Sequence, residues 1–194
     1  MSSPELDKLI IDNWGDLEAA RGRADEIEEV VFDAVNQGVK AWCDARGWSG
    51  KFKAPASMWL APPQWTTAHG TRPAADAFFQ FVASDTDDDQ WYLTALMGLG
   101  AGEIAFRLKQ ELLSKRAWAE IVRDPDNVAR LPAFTIDDTP AFCLPLRIDQ
   151  TAVVTALETA DFDDALKPLV LLLDQFEAAV PVIDPWLGPR SKGA

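Results

Sequence analysis

Apolar residues recur at Leu6, Ile10, Leu17, Ala24, Ile27 and Val31, and again at Ala34, Val35 and Trp42. This three- and four-residue spacing predicts a long helix from Ser3 to Arg46 with one apolar stripe. Ser3, Pro4 and Glu5 supply an N-cap, a first-turn proline and an early carboxylate, and Gly47 supplies the stop. Gly15, Gly22 and Gly38 weaken such a helix by roughly 1 kcal/mol each relative to alanine, which places a bend or break near Arg21-Gly22-Arg23 and leaves one long or two shorter helices as the expectation.

Beyond Gly50 the pattern shortens. Ser57–Ala61 and Ala77–Ala83 read as strands, and Trp91–Gly98 reads as a third that forms a hairpin with the second across Ser84–Gln90. Ile104, Leu108, Leu112, Trp118 and Ile121 fit a helix over Glu103–Val122, entered through Gly98, Gly100 and Gly102. Ala133–Ile136 and Ala141–Ile148 read as a second hairpin around Asp137-Asp138-Thr139-Pro140. Two helices then close the chain: Gln150–Thr159, and one carrying Leu166, Leu169, Leu173, Phe176 and Val180, with Pro168 in its first turn and Pro181 as its end. The fold class expected is α+β. One domain spans residues 1–184, with about five antiparallel or mixed strands, a long N-terminal helix and C-terminal helices, and residues 185–194 form a flexible tail.

Composition agrees with one folded domain. The chain has 194 residues, 48% hydrophobic, with 8 Trp and 10 Phe, enough apolar surface to fold without metal or disulfide. The longest apolar run, Leu169–Leu173, is far short of a membrane span, and Met1–Lys8 lacks the basic start and apolar core of a secretory signal. A cytoplasmic location is expected. Cys43 and Cys143 fall in an apparent helix and an apparent strand, so two buried reduced thiols are expected and a cysteine metal site is excluded.

Charge narrows the function classes. With 18 Lys and Arg against 31 Asp and Glu, the net charge is −13, which excludes a nucleic-acid binder with a broad basic surface. Acids dominate the C-terminal part: Asp137–Asp184 holds ten acids and two bases, whereas Ala101–Arg130 holds five and six.

Four patterns invite chemistry. A glycine-rich turn that opens a helix can hold phosphate on free N–H groups, which singles out Gly98, Gly100 and Gly102. A dinucleotide fingerprint needs glycine where Glu103 stands, however, and no Walker ending follows. Asp85, Asp87, Asp88 and Asp89 resemble a calcium loop, but from Asp85 the frame puts Gln90 at the glycine position and Leu96 at the bidentate glutamate. His69, the single histidine, has no nucleophile elbow or cysteine context to serve as a general base. The tryptophans could stack bases, but the lysines and arginines beside them are few, so they are assigned to packing.

The element order α-β-β-β-α-β over Ser3–Ile148 resembles the core of the restriction-endonuclease-like PD-(D/E)XK superfamily. That resemblance implies a metal-dependent nuclease with an acid on the second strand and a Glu/Asp-x-Lys on the third. Here Asp76 and Asp85 only flank the second strand, and Trp91–Gly98 has neither acid nor lysine, so the resemblance implies a core without nuclease chemistry.

The reading drawn from the chain is a non-enzymatic acidic binding module, of the inhibitor, immunity or anti-defence kind. It docks on a protein with a basic surface through Asp85, Asp87, Asp88, Asp89, Asp137 and Asp138, without cofactor, metal, membrane or direct nucleic-acid contact. The alternatives are a nucleotide- or phosphate-binding enzyme using Gly98, Gly100 and Gly102, and a subunit of a homo-oligomer held by the long helix and the aromatic surplus.

Overall fold

The computed structural model describes residues 3–69, 72–84 and 91–188. Helix α1 (Pro4–Asp12) leads into α2 (Trp14–Arg46), followed by β1 (Ser49–Lys53), β2 (Ser57–Ala61), β3 (Thr66–His69), β4 (Arg72–Ala75) and β5 (Ala77–Ser84). A short helix α3 (Tyr92–Leu96) precedes β6 (Glu103–Gln110), α4 (Lys115–Arg123), α5 (Pro125–Arg130), β7 (Thr135–Ile136) and β8 (Phe142–Pro145). Helices α6 (Gln150–Thr159) and α7 (Lys167–Ile183) complete the order. The main sheet has six strands in the order β1-β2-β5-β6-β8-β7, every neighbouring pair antiparallel, and β3 and β4 form a separate two-stranded ribbon.

The α+β class with a long N-terminal helix holds, with six strands in the sheet in place of five. The sequence reading does not contain β1, β3, β4 or β6, and Trp91–Gly98 is not a strand. β6 was assigned to a helix because Ile104 and Leu108 are four apart. Phe106 between them decides the matter: Ile104, Phe106 and Leu108 are all buried, a period of two. The helical part of that stretch begins only at Lys115, where the Ser114 side chain accepts from Ala117 N–H at 3.2 Å.

The N-terminal break falls at Asn13 and not at Gly22. Asn13 Nδ2 donates to Leu9 O at 2.8 Å, drawing the backbone into a bridge-like conformation (ψ 21°). Across Gly22, by contrast, the helix stays continuous, and Arg23 holds Glu26 at 2.7 Å. Gly47 closes α2 in the left-handed region at φ 69°. Pro181 does not end α7, which continues to Ile183 and tightens into a 3-10 turn over Asp184–Leu187. Pro185–Leu187 therefore belong to the packed domain: Leu187 is buried, and Trp186 stacks on Phe142 with centroids 5.6 Å apart. The rest of the expected tail, from residue 189, lies outside the described residues.

The core lies between one face of the sheet and helices α2 and α7. Phe176 of α7 stacks on Phe79 of β5 at 4.0 Å and 10°, with Phe106 edge-on to Phe176 at 5.4 Å. Trp65 and Trp48 flank Phe79 at 5.6 and 6.2 Å. Trp42 on α2 meets Trp48 at 5.0 Å and donates its Nε1–H to Asp174 of α7 at 2.9 Å. Arg46 lies over the Trp42 ring and bridges Asp174 and Glu177 at 3.1 and 3.0 Å, tying α2 to α7. Gly50 is required on β1, since a Cβ there would run into the Trp59 carbonyl of the paired strand.

Because Phe176 is fully buried at the centre of these rings, Phe176→Ala removes contacts that no neighbour can replace. The expected cost is about 3–5 kcal/mol, read from the shift in the urea unfolding midpoint.

Candidate functional site

The acidic turn Asp85, Asp87, Asp88 and Asp89 lies outside the described residues. At the second turn, Asp138 is exposed, but Asp137 is not a free surface charge. Its carboxylate pairs with Arg107 of β6, both side chains only about a fifth exposed (23% and 21%), and accepts from the Cys143 thiol at 3.5 Å. Arg107 Nε and Asp137 Oδ1 are buried without a hydrogen-bond partner among the described residues. Asp137 therefore ties the β7–β8 hairpin to β6, with its carboxylate already engaged by Arg107 and Cys143.

The glycine loop also reverses its expected role. It follows a helix and enters a strand, so there is no helix N-terminus for a phosphate. Gly98 takes a left-handed φ of 67°, and its N–H and that of Leu99 donate to Ala95 O and Thr94 O at 3.0 Å each. These amides close the C-terminus of α3. Gly100 and Gly102 sit in the link to β6, and Arg147, packed against Gly98, reaches Glu103 at 3.1 Å.

Both cysteines are free and buried. Burial pushes the Cys43 thiol up to about 12, and burial together with the nearby Asp137 charge pushes Cys143 up to about 11. Neither forms a thiolate near neutral pH, so neither is a ready nucleophile. Among the described residues no group of three or more His, Cys, Asp or Glu is placed to hold a metal ion, and no helix is long and apolar enough to cross a membrane.

A different surface carries structure suited to recognition. Where α2 meets the β1–β2 turn, a notch of about 260 Å³ is rimmed by Asp25, Glu28, Glu29 and Asp33 and floored by Phe32 and Pro55. Its walls are held by specific bonds. Asn36 fixes the turn, accepting from Ala54 N–H at 2.7 Å and donating to Ala54 O at 3.2 Å. On the other side Asp25 accepts from Trp91 Nε1–H at 2.7 Å, and Glu28 accepts from Leu93 N–H at 2.8 Å, supplying the cap that α3 lacks in its own sequence. Asp25 and Glu28 thus have structural partners, while Glu29 and Asp33 are exposed on the rim. The only sequence signal for this site was the acid spacing at 25, 28, 29 and 33 on one predicted helix; the turn and α3 that complete it were not readable as such.

The uncovered face of the sheet has the opposite character. One row crosses all six strands: Lys51, Trp59, Gln80, Arg107, Cys143 and Thr135. With Lys53 and Lys109, the strands turn four bases to this face against one acid, Glu103, and Trp59 packs on Phe78 at 5.7 Å.

No protein-family profile matches the chain, and no curated protein or solved structure matches it either.

Burial raises the Glu28 carboxyl above its ordinary range, partly offset by the Leu93 amide; the Asp25 charge raises it further. Folding thus disfavours the charged form, and stability is lost as pH rises from the ordinary carboxylate range through this raised value, with no further change above it. Glu28→Gln keeps an acceptor for Leu93 without the charge. Its melting temperature, relative to the parent, is expected to be highest near neutral pH, with the difference closing as pH falls through the carboxylate range. In the folded protein at about pH 8, iodoacetamide is expected to leave Cys43 and Cys143 unmodified, and to alkylate both after denaturation, as read by mass spectrometry.

Proposed function

We propose that the chain is a non-enzymatic binding module that docks on a protein with a basic surface, as an inhibitor or immunity factor does, with the notch on α2 as its anchor. The observation that carries this reading is the union of four carboxylates with an apolar floor between two hydrogen-bonded walls. An arginine or lysine could lay its methylene stem on Phe32 and Pro55 and present its charge to Glu29 and Asp33. The net charge of −13 steers a basic partner toward the molecule at low salt.

The rival readings draw less support. A phosphate site at Gly98, Gly100 and Gly102 would need the Gly98 amide, which α3 already uses, and no helix begins there to add further amides. Thiol chemistry would need a thiolate, which burial opposes at both cysteines. The cationic sheet face would suit an acidic partner, but Asp137 already engages its central Arg107, and the surrounding field repels an anion.

The test is a titration of the peptide acetyl-Gly-Arg-Gly-amide into isotope-labelled protein, followed by amide chemical shifts. Shifts are expected at residues 25–33 and at Ala54, and to weaken with salt. The double variant Glu29→Gln with Asp33→Asn is expected to bind roughly two- to thirtyfold more weakly, two pairs at about 0.2–1 kcal/mol each. Shifts confined to other surfaces, or affinity unchanged in the double variant, would sink the reading.

A further inference from the structure

Helix α1 has no buried residue, and the first buried residue of α2 is Val31. Asp25, Ile27 and Glu28 make the first contacts with the domain, so the helix over residues 4–24 extends ahead of it, and its Leu6, Leu9, Ile11, Trp14 and Leu17 are 48–67% exposed. An isolated helix of this length is marginal in water, and Gly15 and Gly22 weaken it further. Its apolar residues are also ordered. Leu6, Ile10, Leu17, Ala20, Ala24 and Ile27 occupy the a and d positions of one heptad frame, with Asn13 at the remaining d.

We infer that this arm pairs with the arm of a second copy of the chain as an antiparallel two-helix coiled coil. Direction follows from the domain. From Val31 onward the same face of α2 is buried against its own core through Val35, Val39 and Trp42. Parallel arms would drive the two domains into the same space, whereas antiparallel arms each end beside the other copy's domain.

Register follows from charge. When Leu17 faces Ala20 of the second copy, Ile10 faces Ile27 and Asn13 faces Ala24. The flanking positions then set Asp16 against Arg23, Leu9 against Val30, and Trp14 against Arg21. One pair opposes like charges, Asp7 with Glu28, and Glu28 already accepts from its own Leu93 N–H. Sliding the arms by one heptad places Asp16 against Asp16 in one direction and Arg23 against Arg23 in the other. The favoured register overlaps residues 10–27 of each arm, of which residues 14–27 belong to the continuous α2 and span about 21 Å of helix, and the pair is a closed two-fold dimer.

The experiment uses the full chain. Sedimentation equilibrium is expected to give twice the chain mass of 21.3 kDa, falling to that mass for Leu17→Asp, with near-ultraviolet circular dichroism unchanged because Leu17 lies outside the core. Asp16→Arg is expected to weaken the dimer and the added change Arg23→Asp to restore it. Ile10→Cys mixed with Ile27→Cys is expected to cross-link 10 to 27 under oxidation. A monomeric parent chain, a dimer indifferent to Leu17→Asp, or cross-links joining 10 to 10 would overturn the inference. Although both surfaces include part of residues 25–30, the mass and the cross-links are read without peptide, so failure of the notch titration leaves these outcomes unaffected.

Discussion

The stack of Phe176 on Phe79 is the contact on which the rest of the molecule depends. It seats α7 on the middle of the sheet, and Trp48, Trp65 and Phe106 close around the two rings. With α7 fixed there, α2 has one place to lie. The Trp42–Asp174 hydrogen bond and the Arg46 bridge hold it alongside α7, so the portion of α2 that covers the sheet begins at Val31. Ahead of that residue Asp25, Ile27 and Glu28 still touch the domain, and the helix before them leaves it. The exposed arm is thus a geometric consequence of where an aromatic stack pins a neighbouring helix.

Covering one face of a sheet also determines what the other can be. The antiparallel register places polar and half-buried side chains opposite the core positions, and the row from Lys51 to Thr135 runs across them. Antiparallel sheets tolerate a solvated face in this way. The Arg107–Asp137 pair sits on that face near its β7 edge, joining a two-residue strand to the sheet where backbone pairing alone is short.

The long-range pattern was legible where local and tertiary preferences agree. The helix ending at Gly47, β2, β5, the β7–β8 hairpin and both C-terminal helices stand where the periodicity put them. The error at Trp91–Gly98 has one cause, which is that a local signal was decided by a distant group. Tyr92–Leu96 is rich in strand-favouring residues at its start, yet it is helical because Glu28, over sixty residues earlier, satisfies the Leu93 amide. That misreading turned the glycines after it into a helix entry and cost β6, whose Ile104 and Leu108 fit either period. The candidate site was hidden for the same reason. Its acids lie together on α2, but the facing wall is a turn held by Asn36, and two of the acids are fixed from outside the notch by Trp91 and Leu93.

This reciprocity bears on how an acidic surface becomes specific. A row of carboxylates on a solvated helix attracts any cation and orders none, since each exposed pair contributes little. Two of the four rim acids are instead held in place by the domain, Asp25 by Trp91 and Glu28 by Leu93, and the floor beneath them is hydrocarbon. Fixed carboxylates beside a fixed apolar floor discriminate by shape as well as charge, because a cation must also have a stem to bury. Selectivity here would therefore come from the hydrogen bonds that hold the walls, and only secondarily from the count of acids.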